Sequence, residues 1–337
     1  MDKLNSRIFN LKMMGKYLTD SELRKAYGEY KESEEMAMRL IVNSLLGAGW
    51  LVTLSKPTMI EDLAKEYGYT NMSLLKNVLT LLETQNIVER VGDEYSIKEI
   101  VTSPIRPSDI GTVLANFYYD CAQFIPDALR GKAVPIQDVP RVVLETVFGS
   151  TLTEIGRGVL LRSFSGKETK DVAIAAFADV GIPFILQQIN DILKPERIRL
   201  FLNDYRMVSP LTSMMGLLSD GDVRRKISTH LLGIETDWDV DLFYGEEFFA
   251  YNQNEIDAKV EMISKKLKPS GRLVTNDPTI DPEDTSITPA YVLMQTIEGY
   301  PQPIPRDVLI QAFKRHSLNT LAIGGNWVIA EKMGNTI

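Results

Sequence analysis

The 337 residues are 44% apolar and 24% charged, the composition of a globular chain long enough for two domains. Thirty-seven Lys and Arg stand against 45 Asp and Glu, a net charge of −8. That balance argues against nucleic acid or an anionic membrane as the main partner, since both are held by clustered cations. No apolar run approaches the roughly 20 residues that span a bilayer, and the first residues lack the apolar core of a signal peptide. Cys121 is the sole cysteine, and His230 and His316 are the only histidines. An internal disulfide is thereby excluded, and little remains from which to build a zinc centre. The expectation is a soluble protein of a reduced, cytoplasmic compartment.

Residues 1–48 read as helical. From Ser21, taken as an N-cap, Leu23, Tyr27, Tyr30, Met36, Met38, Leu40, Ile41, Leu45 and Leu46 are interleaved with charges. Thr58 and Glu61 then form a capping box opening a helix that ends at Gly68. A second helix starts at Thr70-Asn71-Met72-Ser73 and carries Leu74, Leu75, Val78, Leu79, Leu81 and Leu82. The runs Ile87–Val91 and Tyr95–Ile97 flank Gly92-Asp93, a hairpin signature. Helix, turn, helix and hairpin spell a winged helix-turn-helix. As a DNA reader it is poorly equipped: its second helix offers Asn71, Lys76 and Asn77 beside Glu83, and residues 1–100 carry 13 cations against 15 acids. A packing or dimerisation role is the preferred reading.

Prolines 104, 107, 126, 135 and 140 divide residues 101–168 into short pieces, with a helical stretch after Pro140. Ser165-Gly166-Lys167-Glu168-Thr169 lacks the leading glycine of a phosphate-binding loop, because position 161 is Leu, and reads as an ordinary loop. Phe117, Tyr118, Tyr119 and Phe124 surround Cys121; they suit a helix core and a ligand wall equally.

Beyond residue 168, strand-like runs fall at Val172–Phe177, Ile198–Leu202, Lys226–His230, Val240–Tyr244, Arg272–Thr275, Asn319–Ile323 and Trp327–Ala330. Helical segments separate most of them, at Pro183–Leu193, Glu255–Leu267 and Arg306–Lys314. Only Gly324-Gly325-Asn326 divides the last two strands, so they form an antiparallel hairpin. The pattern predicts an α/β doubly wound sheet, with ligands beyond the carboxyl ends of its strands.

Lys268-Pro269-Ser270-Gly271-Arg272-Leu273 resembles the K-P-G-G-R-L turn, and Trp238-Asp239-Val240-Asp241-Leu242 the Y-D-V-V-L strand, of small-molecule O-methyltransferases that use S-adenosylmethionine. The resemblance spans nearly the whole chain. It implies a Rossmann-like seven-strand methyltransferase sheet with an antiparallel last strand, preceded by an α-helical and winged-helix domain. The implied divisions are 1–105 for dimerisation, 106–168 as a helical connector roofing the pocket, and 169–337 as the class I methyltransferase-like domain.

The family's D-V-G-x-G-x-G is matched by Asp179-Val180-Gly181, followed by Pro183 and Ile185 in place of the later glycines. Asp204, 25 positions after Asp179, stands where an acid receives the ribose diol. Pro183 suits a first helical position, while Ile185 is expected to project toward the cofactor's methionine portion. His230 replaces the acid that faces adenine. Where plant-type enzymes place a catalytic His, this chain has Phe248 and Phe249, preceded by Glu246 and Glu247. Those glutamates are either a solvated loop or a substrate-facing base.

The resemblance therefore implies methyl transfer from S-adenosylmethionine to a small apolar or aromatic molecule by a homodimer. Asp179, Gly181, Asp204 and His230 would hold the cofactor, Glu246 or Glu247 would assist the acceptor, and Phe117, Tyr118 and Phe248 would line the substrate pocket. The departures from the motif support a second reading: a catalytically degenerate homodimer serving as a binding or regulatory protein.

Overall fold

A computed structural model describes residues 15, 19–98, 109–135, 141–162, 169–176, 181–202, 221–231, 239–250, 253–280, 288–297, 300, 303–324 and 326–334. Two compact units emerge. One comprises Lys25–Thr146 with Pro282–Pro301; the other comprises Val147–Asp281, Gln302–Ile337 and Met1–Arg24.

The first unit is mainly helical. The long helix Ser21–Gly47 is capped by Asp20, not Ser21: Asp20 Oδ1 accepts the N–H groups of Glu22 and Leu23 at 3.0 and 3.1 Å. The expected capping box at Thr58 is replaced by a short strand, β1 (Thr58–Met59). Its backbone is recruited by a neighbouring strand, and the Thr58 hydroxyl donates backward to Thr53 O and Lys56 O. The helix Ile60–Tyr67 ends at Gly68 with φ +67°, a left-handed cap that favours glycine.

Asn71 Oδ1 caps the next helix, Met72–Thr84, by accepting Leu74 N–H at 3.1 Å. Strands β2 (Val88–Val91) and β3 (Glu94–Ile97) follow, joined through Gly92, and the sheet order is β1-β3-β2. Leu74, Leu75, Val78, Leu79, Leu81 and Leu82 bury one face of the second helix. On its polar side Asn77 Nδ2 donates to Gln295 Oε1 at 2.9 Å. Both amides considered for base reading are thus engaged within the protein.

The second unit is built on a seven-stranded sheet. Its strands are β4 (Asp171–Ala176), β5 (Arg197–Leu202), β6 (Ile227–Leu231), β7 (Val240–Glu246) and β8 (Leu267–Asn276), then, after a separate two-stranded pair β9 (Thr279–Ile280) and β10 (Ile304–Pro305), β11 (Leu318–Gly324) and β12 (Trp327–Lys332). The order is β11-β12-β8-β7-β4-β5-β6, with β12 antiparallel to both neighbours and the other pairings parallel. All seven strands expected from the sequence are present, and the last is antiparallel. Alternation along the strands sends Val172, Ile174, Leu200, Leu242 and Tyr244 to one face, against Leu160, Leu161, Ile182, Ile185 and Ile189. Ala173, Ala175, Phe243 and Leu273 go to the other, against Ile256, Val260, Leu309 and Phe313.

At Gly271 an added Cβ would lie 2.8 Å from Lys268 O and 3.1 Å from Val240 O, so the turn that resembles K-P-G-G needs its glycine for close backbone approach. Strand order reverses between β4 and β7, the position where a doubly wound sheet offers a ligand crevice beyond its carboxyl ends.

The amino ends of the strands are tied together by Asp171, whose side chain is 3% exposed. Arg197 grips it through Nε and Nη2 at 2.5 and 3.0 Å, and Arg199 and Lys268 approach at 3.3 and 2.9 Å. Burial alone would raise this carboxyl, but the three cations win and hold it at about 2, against 3.8 for the free group. The depressed value stabilises the fold by about 2 kcal/mol above pH 4, a contribution lost as pH falls toward 2. Asp171→Asn should therefore be less stable than wild type by about 2 kcal/mol at pH 7, with the gap closing near pH 2. Urea titrations across that range measure it, and a gap that stays constant in acid would contradict the assignment.

Candidate active site

The carboxyl ends of β7 and β8 bring together Glu246, Glu247, Asn276 and Asp277. Glu246 ends β7 on the face it shares with Tyr244 and is buried, with both oxygens occupied: Tyr244 Oη donates to Oε2 at 2.5 Å and Asn276 Nδ2 to Oε1 at 2.6 Å. Arg157, on the helix Thr151–Arg162, is fully buried and donates Nη1 to Gln188 Oε1 at 3.0 Å. Burial raises the Glu246 carboxyl, opposed by the Arg157 charge and these hydrogen bonds.

Glu247 differs in exposure, backbone conformation and hydrogen bonding. It is partly exposed, and its backbone is left-handed, with φ +50°. Such a conformation is uncommon for a residue with a side chain and tends to occur where surroundings impose it. Its N–H donates to Asn276 O at 2.8 Å, but no described residue donates to its carboxylate. Dense surroundings, then the charges of Glu246 and Asp277, push that carboxyl up to about 8.

Asp277 is fully buried. Its Oδ1 accepts Phe249 and Ala250 N–H at 2.7 and 2.8 Å, and Oδ2 accepts the Thr275 hydroxyl. Burial raises it to about 6 despite these donors. Lys259 completes the turn, donating to Phe248 O at 2.9 Å with its ammonium 4.7 Å from the Phe248 ring centroid.

On the β4 side, Gly181 caps the helix Ile182–Leu193 in an ordinary right-handed conformation, φ −73° and ψ −24°. The glycine is needed for packing instead: an added Cβ would meet the Phe148 ring at 3.0 Å. Pro183 occupies the first turn as expected. Ile185 does not project toward a ligand. It joins Ile182, Leu186 and Ile189 in the buried stripe of the helix, because helical periodicity starting at Ile182 turns it to the sheet.

The other candidates scatter. Asp179 and Asp204 lie outside the described residues. His230 is inside β6, stacked on Phe201 at 5.4 Å with Ser228 Oγ 2.8 Å from Nε2, and burial and Arg199 hold it below the usual imidazole value. Phe248 is core, packed on Phe243 and Phe249, and does not line an open wall. Phe117 and Tyr118 are buried in the helical unit, where Tyr118 neighbours Glu34 and Ser33.

Arg157, Lys259, Asn276 and Asp277 were not among the candidates. Asp277 directly follows the strand that opens with the recognisable Lys268-Pro269 turn, which is the signal that could have located it. Nothing in the local sequence marks Arg157 or Lys259, which converge only in three dimensions.

No protein-family model matches the chain, and neither does any curated protein. Solved structures do. The chain is similar to the DszA carbon methyltransferase, with a TM-score of 0.63, 13% identity and 94% of each chain covered. It is similar to the CMeT domain of citrinin polyketide synthase, with a TM-score of 0.60, 11% identity, and coverage of 98% of this chain and 96% of the other. An O-methyltransferase family 2 protein from Planctomyces limnophilus, in complex with apigenin, matches at a TM-score of 0.54 and 12% identity over 91% and 95% of the two chains. The likeness is one of fold: this is a class I methyltransferase fold carrying N-terminal helices.

The raised Glu247 carboxyl has a thermodynamic signature. A group bound more tightly to its proton when folded contributes stability below its unfolded value of 4.5 and loses it as pH rises through about 8. Glu247→Gln carries no charge at any pH. It should melt above wild type by about 3 °C at pH 9, with the difference gone near pH 4. A melting difference independent of pH would be the contrary result.

Proposed function

We propose that the protein transfers a methyl group from S-adenosylmethionine to a small apolar or aromatic acceptor, with Glu247 handling the acceptor's proton. The observation that carries this reading is the position of Glu247: a carboxyl with no hydrogen-bond donor among the described residues, at the switch point of a methyltransferase-like sheet. The residues present fit the cofactor. Gly181 has no side chain to project, and Ile185 is turned into the core. By the resemblance of their motifs, Asp204 would accept the ribose diol, and Asp179 and Gly181 would help to hold the cofactor.

The bound cofactor supplies an electrophilic methyl on a sulfonium. Glu247, in its ionised form, takes the proton from an acceptor hydroxyl or acidic C–H as the new bond to methyl forms, and later returns it to water. Its affinity near 8 suits that exchange at neutral pH, because a base works best with a value close to the operating pH. Glu246 is unsuited to the role, since Tyr244 and Asn276 already occupy its oxygens. The matches to the DszA carbon methyltransferase, the citrinin polyketide synthase CMeT domain and the O-methyltransferase family 2 protein support methyl transfer without selecting the acceptor atom. The same reading includes a cytoplasmic homodimer and assigns dimerisation to residues 1–105.

Calorimetry with S-adenosylmethionine and S-adenosylhomocysteine should give dissociation constants of about micromolar order. Asp204→Ala should abolish that binding without moving the thermal transition. Glu247→Gln should retain it while losing about 10²-fold or more in turnover. Absence of heat with both compounds would defeat the proposal and leave the degenerate-scaffold reading.

A further inference from the structure

Three carboxyl groups meet where β7 and β8 end, and their hydrogen bonding is unequal. Asp277 is held by two backbone N–H groups and a hydroxyl, and Glu246 by a phenol and an amide, whereas Glu247 has no described donor. Donors favour the ionised form of the group that receives them. Charges confined together cannot all ionise cheaply, so the proton settles on the group without donors.

The backbone is arranged to the same end. Asp277 Oδ1 binds the consecutive N–H groups of Phe249 and Ala250, and Asn276 O takes that of Glu247. The residues just before and after Phe248 are therefore fastened to adjacent residues at the end of β8. A turn so fastened forces Glu247 into its left-handed conformation and fixes where its carboxyl stands.

We propose that Asp277 is a positioning residue for Glu247: it templates the turn that presents the Glu247 carboxyl, and its fixed negative charge governs how firmly that carboxyl holds its proton. This rests on the assignment of Glu247 as the proton-handling group, and extends it to the group that tunes it. Other charged and titratable groups among the described residues face the cluster. Glu246 and Tyr244 approach from β7, and Arg157 acts on both of them from the helix Thr151–Arg162. Lys259, on the helix Ile256–Lys266, feels Asp277 and Glu255. Of the two acids that act on Glu247, Glu246 has an opposing cation in Arg157, while Asp277 acts on Lys259, whose ammonium donates to Phe248 O.

The test is a carbon-13 titration of the glutamate carboxyls in the full-length protein without cofactor, with Glu247→Gln used to identify the signal. Asp277→Asn keeps an oxygen for the two N–H groups and removes the charge. The Glu247 midpoint should fall by about one pH unit, the size expected for loss of one nearby like charge. An unmoved midpoint in a folded variant overturns the proposal. Should Asp277→Asn not fold, Asp277→Ser provides the second arm. It keeps an oxygen near the two N–H groups, removes the charge and should lower the Glu247 midpoint in the same direction; no movement in that variant overturns the proposal equally. The titration needs neither cofactor nor acceptor, so a failure of methyl transfer and a failure of this coupling are read separately.

Discussion

A carboxylate withdrawn from water must find donors or take up a proton, and Asp277 finds donors in the two N–H groups of Phe249 and Ala250 and the hydroxyl of Thr275. That requirement links strand and loop. Were Asp277 not buried directly after β8, the turn following β7 would lose the acceptor for its two N–H groups, and Phe248 and Phe249 would lose the constraint that packs them into the core with Phe243 and Phe313. The left-handed conformation of Glu247 and the closeness of its carboxyl to the Glu246 and Asp277 charges follow from this one anchored loop.

The opposite end of the same strands shows how differently buried acids behave with cations at hand. Asp171 and Asp241 meet Lys268 there, with Arg197 and Arg199 on Asp171, and Asp241 also accepts the N–H groups of Lys170 and Asp171 at 2.9 Å each. Positive charge exceeds what the desolvation of Asp171 costs, and that carboxyl is driven down. At the carboxyl ends, Glu246 has Arg157 and Glu247 is faced by two acids, so the carboxyls are driven up. One sheet thus has an end that fixes charge and an end that can exchange a proton. The second is the end where a doubly wound sheet opens its crevice.

Much of the fold was legible because its determinants are local or periodic. The seven strands, the helix Ile182–Leu193 and the Gly92 turn follow from alternation, spacing and glycine placement, and Asn71 was correctly placed at the start of its helix. Thr58 was misjudged because pairing of β1 with β3 is a contact between distant residues that overrides a local capping pattern. The site was less legible for the same reason. Glu246 and Glu247 are adjacent in sequence, yet Tyr244, Asn276 and Arg157 engage the first and leave the second, and no one-dimensional pattern distinguishes them.

The substituted glycine motif shows why a motif must be placed in its helix before its residues are weighed. Read as a loop, Gly181-Ile182-Pro183-Phe184-Ile185 would send a branched side chain into the ligand's space. Because the helix begins at Ile182, positions 182, 185, 186 and 189 fall on one face, and that face covers β4 and β5. Ile185 therefore belongs to the core, and Pro183 lies in the first turn, where the missing N–H has no intrahelical partner to lose. A glycine at position 185 would leave a cavity against Leu186 and Val172 and would weaken the helix as well. The apolar residue is thus explained by packing, and its presence carries no argument for or against a cofactor in the crevice. What the substitution does remove is backbone freedom in the first turn of the helix.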